Sequence, residues 1–189
     1  QWTAPVRMAD IIRSAIGEVE DYQRVGVQAI EPATVSGGAA ADVVHLLAEL
    51  IENALIFSPE DQYVEMRGRR HPAVNGYTLA IVDNGIGMPP EEVDQANRRL
   101  AGAESFTVAP SKYLGHYVAG NLAKRHGIYV QVAASPIPGA RGITATVHLP
   151  APVLAALPAQ PFAPPSPPVP PPYARPSSPL FDQVGGQQS

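Results

Sequence analysis

The strongest hydrophobic pattern in the chain lies in residues 39–57. Apolar side chains recur there every three or four positions, and His45, Glu49 and Asn53 follow one another at intervals of four. This spacing predicts a helix with a broad apolar stripe and a polar row beside it. A polar row that borders a core-facing stripe indicates that the helix contributes to a site as well as to the core.

A second pattern occupies residues 77–88. The apolar run at residues 77–82 predicts a buried strand, and it ends directly before Asp83. Gly85 and Gly87 follow at once, and glycine allows the backbone to approach a ligand closely. We interpret this stretch and the polar row of the preceding helix as the two halves of one nucleotide site.

The other patterns complete an α/β domain. We predict further helices and strands, namely helices at residues 8–25, 88–100 and 114–126 and strands at residues 26–30, 63–70, 76–82, 128–134 and 143–149. Residues 101–112 have no period and predict a loop that is long enough to form a lid. The order of elements predicts a two-layer α/β sandwich, with helices on one face of a mixed, mostly antiparallel sheet.

Proline divides the chain into a body and a tail. More than half of the 22 prolines follow Pro150, and the run PPSPPVPPP carries no charge. Such a segment cannot build a core, so we predict a disordered Pro-rich tail at residues 151–189. The tail is interpreted as a spacer, with the alternative that its PxxP pattern is a docking ligand for the aromatic groove of a partner.

Charge and cysteine content exclude several classes of function. The formal net charge is -4, so the basic footprint of a nucleic-acid or anionic-membrane binder is missing. The chain has no cysteine, which excludes disulfides and thiolate metal sites. No segment contains the about 20 consecutive apolar residues that a membrane-spanning helix needs. Because the sequence starts at Gln1, we expect a cytoplasmic fragment whose full-length protein could carry a membrane anchor upstream.

Three motifs resemble those of the GHKL ATP-binding superfamily, which has the Bergerat fold. AELIENALIFS is similar to its N box, VDNGIGM to its G1 box, and YLGHYVAGNLAKRHGI to its G2 box and following helix. Residues 42–54 and 114–128 most resemble the catalytic domains of actinobacterial sensor histidine kinases. The resemblance implies an ATP-binding catalytic domain at residues 26–150, preceded by a linker helix at residues 1–25 that packs on it.

The same resemblance assigns roles around the base of the nucleotide. It implies that Asp83 accepts the adenine amino hydrogen, because a carboxylate can only accept. Gly85 and Gly87 would let the backbone pass beside base and sugar, and Met88 would lie against the adenine. Thr144 would support the adenine through Asp83 or through a water molecule.

The resemblance also implies the chemistry and the partners. Asn53 would give an oxygen to Mg²⁺, and Glu49 would orient or deprotonate the attacking nucleophile. The γ-phosphate of Mg-ATP would go to a histidine outside this fragment, on an upstream dimerisation and phosphoacceptor domain, and then to a response regulator. ATP, ADP and Mg²⁺ are therefore the expected ligands.

The G2 region departs from the broad pattern. Many kinases have a GxG motif where this chain has Tyr113-Leu114-Gly115. Backbone amides of Leu114, Gly115 and His116 at a helix start would still hold phosphates, with Lys112 adding charge. His116 itself is interpreted as a surface histidine, with a phosphate donor as the alternative.

Two other classes of function stay open from the sequence. The altered G2 region fits a catalytically weakened or inactive GHKL-like module that binds nucleotide or partners without transferring phosphate. A serine kinase of the anti-sigma type, or a stand-alone GHKL ATPase, is the third hypothesis. The segment at residues 2–25 argues against the third, because it resembles the linker helix that follows a kinase dimerisation domain.

Overall fold

The computed structural model describes residues 3–102, 114–136 and 138–156. The predicted lid beyond residue 102, including Lys112, lies outside the described residues. So does the Pro-rich sequence from residue 157 onward. The predictions for these segments therefore stay predictions.

The described residues form four helices and seven strands. In chain order they are β1 (Val6–Arg7), α1 (Met8–Gly17), β2 (Val25–Ile30), β3 (Thr34–Val35), α2 (Gly37–Phe57), β4 (Val64–His71), β5 (Gly76–Val82), α3 (Pro90–Leu100), α4 (Leu114–Arg125), β6 (Tyr129–Ala134) and β7 (Ile143–Leu149). The long helix, the hairpin strands and the last two strands lie within a few residues of the predicted bounds. Their strong apolar periodicity explains this agreement.

The main sheet has five strands in the order β2-β4-β5-β7-β6. Strands β2 and β4 run parallel, whereas β4–β5, β5–β7 and β7–β6 are antiparallel. The prediction of a mixed and mostly antiparallel sheet is thus confirmed. The small β1–β3 ladder was not predicted, because two-residue strands are defined by their pairing partner and leave no period in the sequence.

One face of the main sheet carries the core. Inward side chains alternate with outward ones along β4, β5 and β7, where buried positions include Val64, Met66, Leu79, Ile81, Val147 and Leu149. The helices cover this face, and α2 supplies Leu46, Leu47 and Ile51, which are 0% exposed. Burying each of these side chains contributes about 1.5–3 kcal/mol. No helix among the described residues is both long and apolar enough to cross a membrane.

The predicted helix at residues 8–25 is shorter in the structure. Helix α1 ends at Gly17, and a short 3-10 turn follows at Tyr22–Arg24. Val19 lies beyond the helix and is still 3% exposed, so its apolar side chain extended the helical pattern without extending the helix. Helix α1 nevertheless packs against α2 and buries Met8, Ile11 and Ile12. Its role as a linker stays a prediction.

The predicted start of the tail at residue 151 differs from the structure. Residues 151–156 are packed against the domain, where Val153 is 2% exposed. Leu154 forms a bridge with Val35, and Ala155 donates its amide to the carbonyl of Thr34 at 2.8 Å. The ordered body therefore extends past Pro150, because Val153 and Leu154 complete an edge of the core.

Candidate functional site

A small cavity lies between α2, the end of β5, the first turn of α4 and the strands β6 and β7. Eleven residues line it, eight of them apolar, and its volume is about 30 Å³. The three polar residues are Asn53, Asp83 and His116. A mainly apolar wall with a few convergent polar groups is typical of a small-molecule site.

Asp83 is fixed at the end of β5 by the backbone around it. It is 5% exposed, and its Oδ1 accepts hydrogen bonds from the amides of Gly85 and Ile143, each at 3.0 Å. Burial raises the pKa of the Asp83 carboxyl, and the two backbone hydrogen bonds oppose part of that rise. Among the described residues no donor bonds Oδ2, so this oxygen is available as an acceptor for a ligand.

Glycines allow the chain to pass tightly around Asp83. Gly87 has a φ of 85°, which is the left-handed region that favours glycine. A β-carbon on Gly85 would lie 2.7 Å from the carbonyl oxygen of Phe57. One on Gly142 would collide with the carbonyl oxygen of Asp83. Gly142 was not predicted from the sequence, since only the pairing of β5 with β7 brings it to the site.

Glu49 and Asn53 lie together under the start of α4. A β-carbon on Gly115 would stand 2.8 Å from Glu49 Oε2 and 3.0 Å from Asn53 Nδ2. Asn53 is 8% exposed, and its Nδ2 has no hydrogen-bond partner in the described part of the chain. The polar row of α2 thus meets the G2 glycine, a contact that the sequence analysis did not predict.

The half-buried carboxyl of Glu49 lies in acidic surroundings. Burial raises its pKa, Glu52 and Glu18 raise it further, and His45 opposes them. His45 itself turns away to Glu18, with Nδ1 2.9 Å from Oε2. It shares the polar row but does not line the cavity. A raised pKa makes the ionised Glu49 a stronger base than an ordinary glutamate.

Thr144, Met88 and Leu114 complete the predicted set. Thr144 pairs with Val82 across the β5–β7 ladder, next to Asp83, and its buried Oγ1 has no partner among the residues described. Met88 lines the cavity, and Leu114 is the first residue of α4. A buried hydroxyl without a partner beside Asp83 fits a role in binding a ligand.

The interpretation of His116 as a surface histidine is wrong. Its side chain is 4% exposed and lines the cavity. Burial lowers its pKa to about 4, and the neighbouring charge of Arg99 lowers it as well. The imidazole is therefore neutral at pH 7. Sequence periodicity did not place it, because the burial of this turn depends on the elements that pack against α4.

Helix α4 is held in place by contacts with α2 and α3. Asp42 Oδ2 lies 3.0 Å from Arg125 Nη1 and 2.6 Å from His126 Nε2. Burial raises the pKa of Asp42, but the hydrogen bonds from these partners outweigh it, so that the pKa is lowered. On α3, the carbonyl of Leu100 would lie 2.8 Å from a β-carbon on Gly120. These contacts position Gly115 over Glu49.

The residues present fit a nucleotide with Mg²⁺. Mg²⁺ prefers oxygen ligands and keeps several waters, so one or two protein oxygens suffice when phosphates supply the rest. Glu49 and Asn53 offer such oxygens. The Asn53 Nδ2, which has no partner in the described ranges, is a donor that a phosphate oxygen can accept from. No group of three or more histidines, cysteines or carboxylates able to hold a metal alone exists in the described ranges.

A larger cleft elsewhere is a weaker candidate. It has a volume of about 250 Å³ and lies between the β4–β5 turn and residues 154–156. Arg70 and His71 are among its lining residues, but none of the predicted site residues is.

The cavity lined by Asp83 has a smaller volume than a typical ligand pocket, which measures about 300–1,000 Å³. It therefore has to widen when a nucleotide enters.

Comparison with known proteins agrees with this geometry. Residues 38–153 match the family model described as histidine kinase-, DNA gyrase B-, and HSP90-like ATPase. The sensor-like histidine kinase SenX3 of Mycobacterium tuberculosis is 29% identical over 111 residues, which is 58% of this chain and 26% of SenX3. The chain thus spans about a quarter of the length of this curated relative.

Solved structures show the same fold. The mycobacterial sensor histidine kinase MprB superposes with a TM-score of 0.62 at 22% identity, covering 77% of this chain and 97% of the MprB chain. The histidine kinase domain of the blue-light activated kinase EL346 from Erythrobacter litoralis gives a TM-score of 0.53 at 22% identity, with 75% and 63% covered. The predicted two-layer fold is confirmed, and the chain belongs to the family of histidine kinase-, DNA gyrase B- and HSP90-like ATPases.

Proposed function

We propose that this domain binds Mg-ATP and transfers the γ-phosphoryl group to a histidine of a separate helical segment, as the catalytic domain of a sensor histidine kinase. The observation that carries the proposal is a cavity lined by the buried acceptor Asp83 and by Asn53, with Glu49 next to Asn53 under Gly115. The family and the relative SenX3 support it.

Asp83 and its neighbours select the base. Asp83 Oδ2 accepts a hydrogen bond from the adenine amino group, whereas guanine presents a carbonyl oxygen at that position, which a carboxylate repels. Thr144 Oγ1 supports the same edge directly or through water. Met88 lies against the ring, and the backbone at Gly85 and Gly87 leaves room for base and sugar.

The first turn of α4 holds the phosphates. The leading amides of a helix have no intrahelical acceptor, and they point along the positive end of its dipole. The backbone amides of Leu114, Gly115 and His116 stand at this position. Lys112, which precedes the helix, adds positive charge to the same end in the proposal.

Glu49 and Asn53 act at the γ-phosphate. The Asn53 side-chain oxygen holds Mg²⁺, which neutralises phosphate charge when bound. Glu49 orients the attacking imidazole and accepts its proton, a role that suits a carboxyl whose pKa burial has raised. Phosphoryl transfer depends mainly on positioning and charge neutralisation. In this proposal Glu49 would position the acceptor, and Mg²⁺ held at Asn53 would neutralise the phosphate charge.

The phosphoryl acceptor is proposed to lie on a dimerisation and phosphoacceptor domain. Four of the five histidines of the chain are hydrogen-bonded within the domain, and the fifth lines the cavity: His45, His71, His126, His148 and His116. The phosphoryl group then passes to a response regulator in the cytoplasm. The Pro-rich tail is proposed as a spacer or as a docking segment for a further partner.

Titration calorimetry with ADP and with a non-hydrolysable ATP analogue, with and without Mg²⁺, tests binding by the 189-residue chain. We expect binding that Mg²⁺ strengthens. Undetectable binding at millimolar nucleotide would refute the proposal. Transfer is tested in a version that includes a phosphoacceptor helix, where Glu49→Gln keeps nucleotide binding and loses acid-labile phosphorylation. Binding without any phosphorylation of the unmutated protein would favour the inactive module instead.

A further inference from the structure

Two histidines meet on the face of the main sheet that lies opposite the core. His148 on β7 is exposed, whereas the residues on either side of it are buried in the core. Thr78 on β5 is its direct cross-strand partner, and His71 is the last residue of β4. None of these three polar side chains lines the cavity proposed for the nucleotide. The cluster is therefore separate from that site.

Both imidazole rings direct a nitrogen at the same oxygen atom. His71 Nε2 lies 2.6 Å from Thr78 Oγ1, and His148 Nδ1 lies 3.1 Å from it. The two nitrogens are therefore at most about 5.7 Å apart, which is the sum of these two distances. A tetrahedral Zn²⁺ with its nitrogen ligands at about 2.0–2.1 Å needs them about 3.3 Å apart. Side-chain rotation can close this difference, because neither ring is buried in the core.

The hydroxyl of Thr78 has one proton to share between two rings. It can donate to one ring nitrogen, and the other ring then has to donate its own N–H to the oxygen. A cation that binds both nitrogens replaces these two hydrogen bonds. The N–H proton then moves to the other nitrogen of the same ring, so that both imidazoles stay neutral, which is the form that binds metals.

The ring of His148 is already oriented for such a role. It stacks on Tyr129, with ring centroids 5.8 Å apart and an interplanar angle of 30°. Burial and the neighbouring His71 lower the pKa of His148, so the ring is neutral at pH 7. A cleft of about 310 Å³ is lined by both histidines and leaves space for a cation with its waters. A ligand group that is held in place loses less entropy on binding.

The donor atoms decide which cation fits. Imidazole nitrogens suit Zn²⁺, Cu²⁺ and Ni²⁺, whereas Mg²⁺ and Ca²⁺ require oxygen ligands. In the described part of the chain no carboxylate is hydrogen-bonded to either ring. Arg69 lies opposite Thr78 on the same face, but it is exposed, so its charge is screened by solvent and salt. The pair therefore favours a transition-metal cation over Mg²⁺.

We propose that His71 and His148 form a binding site for a divalent transition-metal cation of the Zn²⁺ class, with their two convergent imidazole nitrogens as protein ligands and water in the other positions. The site does not depend on the proposed function, because it lies on the other face of the sheet and takes a different kind of cation.

Titration calorimetry of the full 189-residue chain with ZnCl₂, in the absence of nucleotide, tests the proposal. We expect saturable binding below millimolar Zn²⁺. His71→Gln and His148→Gln should each weaken it by at least about tenfold, since the loss of an outer-shell partner alone costs about 10- to 100-fold in metal affinity. His45→Gln is the matched control: His45 lies on α2, 2.9 Å from a carboxylate oxygen of Glu18, and its substitution should leave Zn²⁺ affinity unchanged.

Histidine NMR signals locate the cation without any mutation. Zn²⁺ should shift or broaden the imidazole signals of His71 and His148 and leave those of the other three histidines unchanged. MgCl₂ at the same concentration should leave all five unchanged. Thermal unfolding shows whether each variant is folded, and if one is not, the NMR titration of the unmutated protein decides.

The contrary outcomes are distinct. Equal Zn²⁺ affinity in all variants, or binding only at millimolar Zn²⁺ and above, would overturn the site. Loss of binding in His45→Gln alone would place the cation at His45 and Glu18, and would overturn it as well. ADP binding with Mg²⁺ should be the same in His71→Gln, His148→Gln and the unmutated protein, so failure of this inference leaves the proposed function standing.

Discussion

Asp83→Asn is the sharpest perturbation of the base site, because it changes one oxygen and keeps the surrounding structure. The carboxyl Oδ1 accepts two backbone hydrogen bonds, from Gly85 and Ile143. An asparagine oxygen can accept both of them. In the proposed binding mode, its amide nitrogen then replaces Oδ2, so that one donor faces another at the adenine amino group.

The expected loss follows from the bond that disappears. A hydrogen bond to a charged group contributes about 1.5–3 kcal/mol, and 1.4 kcal/mol corresponds to a tenfold change in affinity. ADP affinity should therefore fall about 10- to 100-fold. The fold should not suffer: burial raises the pKa of Asp83, so its ionised form costs stability at every pH above the raised pKa, and asparagine removes that cost.

Calorimetry with ADP and Mg²⁺ measures the affinity, and thermal unfolding without nucleotide measures stability. Asp61→Asn is a matched control, because Asp61 is exposed in the turn after α2. We expect Asp83→Asn to unfold at the same or a higher temperature than the unmutated protein while binding ADP much more weakly. Equal ADP affinity in the two proteins would refute the assignment of Asp83 to the base.

Three further predictions concern the glycines and the contact that fixes α4. Gly115→Ala should preserve or raise the unfolding temperature, since alanine favours helix. Its β-carbon would displace the side chains of Glu49 and Asn53, so the variant should lose Mg²⁺-dependent phosphoryl transfer. Gly142→Ala should cost about 1–3 kcal/mol in denaturant unfolding, because its β-carbon meets the backbone carbonyl of Asp83; unchanged stability would contradict this packing. Asp42→Asn should lower stability by about 1 kcal/mol at neutral pH; since the folded-state pKa is lowered, the difference between variant and unmutated protein should shrink as pH falls through that pKa, and a pH-independent difference would disprove the contribution.

Much of the fold follows from local patterns. Helix α2 and the β4–β5 hairpin have long periodic stretches whose apolar faces are unambiguous, and the structure places them as predicted. Features that depend on distant partners were not predictable in this way. The β1–β3 ladder and the packing of Leu154 on Val35 exist because separated segments meet, and neither leaves a period in the sequence.

The same distinction between local patterns and distant partners applies to the residues of the site. Glu49, Asn53 and Asp83 were predicted because motif spacing places them on one helix face and at one strand end. His116 was misplaced on the surface, because the burial of the first turn of α4 depends on how α3 and α2 pack against it. Gly142 was missed for a similar reason, since β7 reaches Asp83 only through the sheet.

The central claim is that one nucleotide spans the cavity from Asp83 to the Glu49–Asn53 pair. A crystal structure of the chain with Mg²⁺ and a non-hydrolysable ATP analogue tests it most directly. We predict the adenine amino group within hydrogen-bond distance of Asp83 Oδ2, with Mg²⁺ at the Asn53 oxygen and the phosphates under Gly115. A nucleotide bound elsewhere, for example in the cleft beside Arg70, would contradict it.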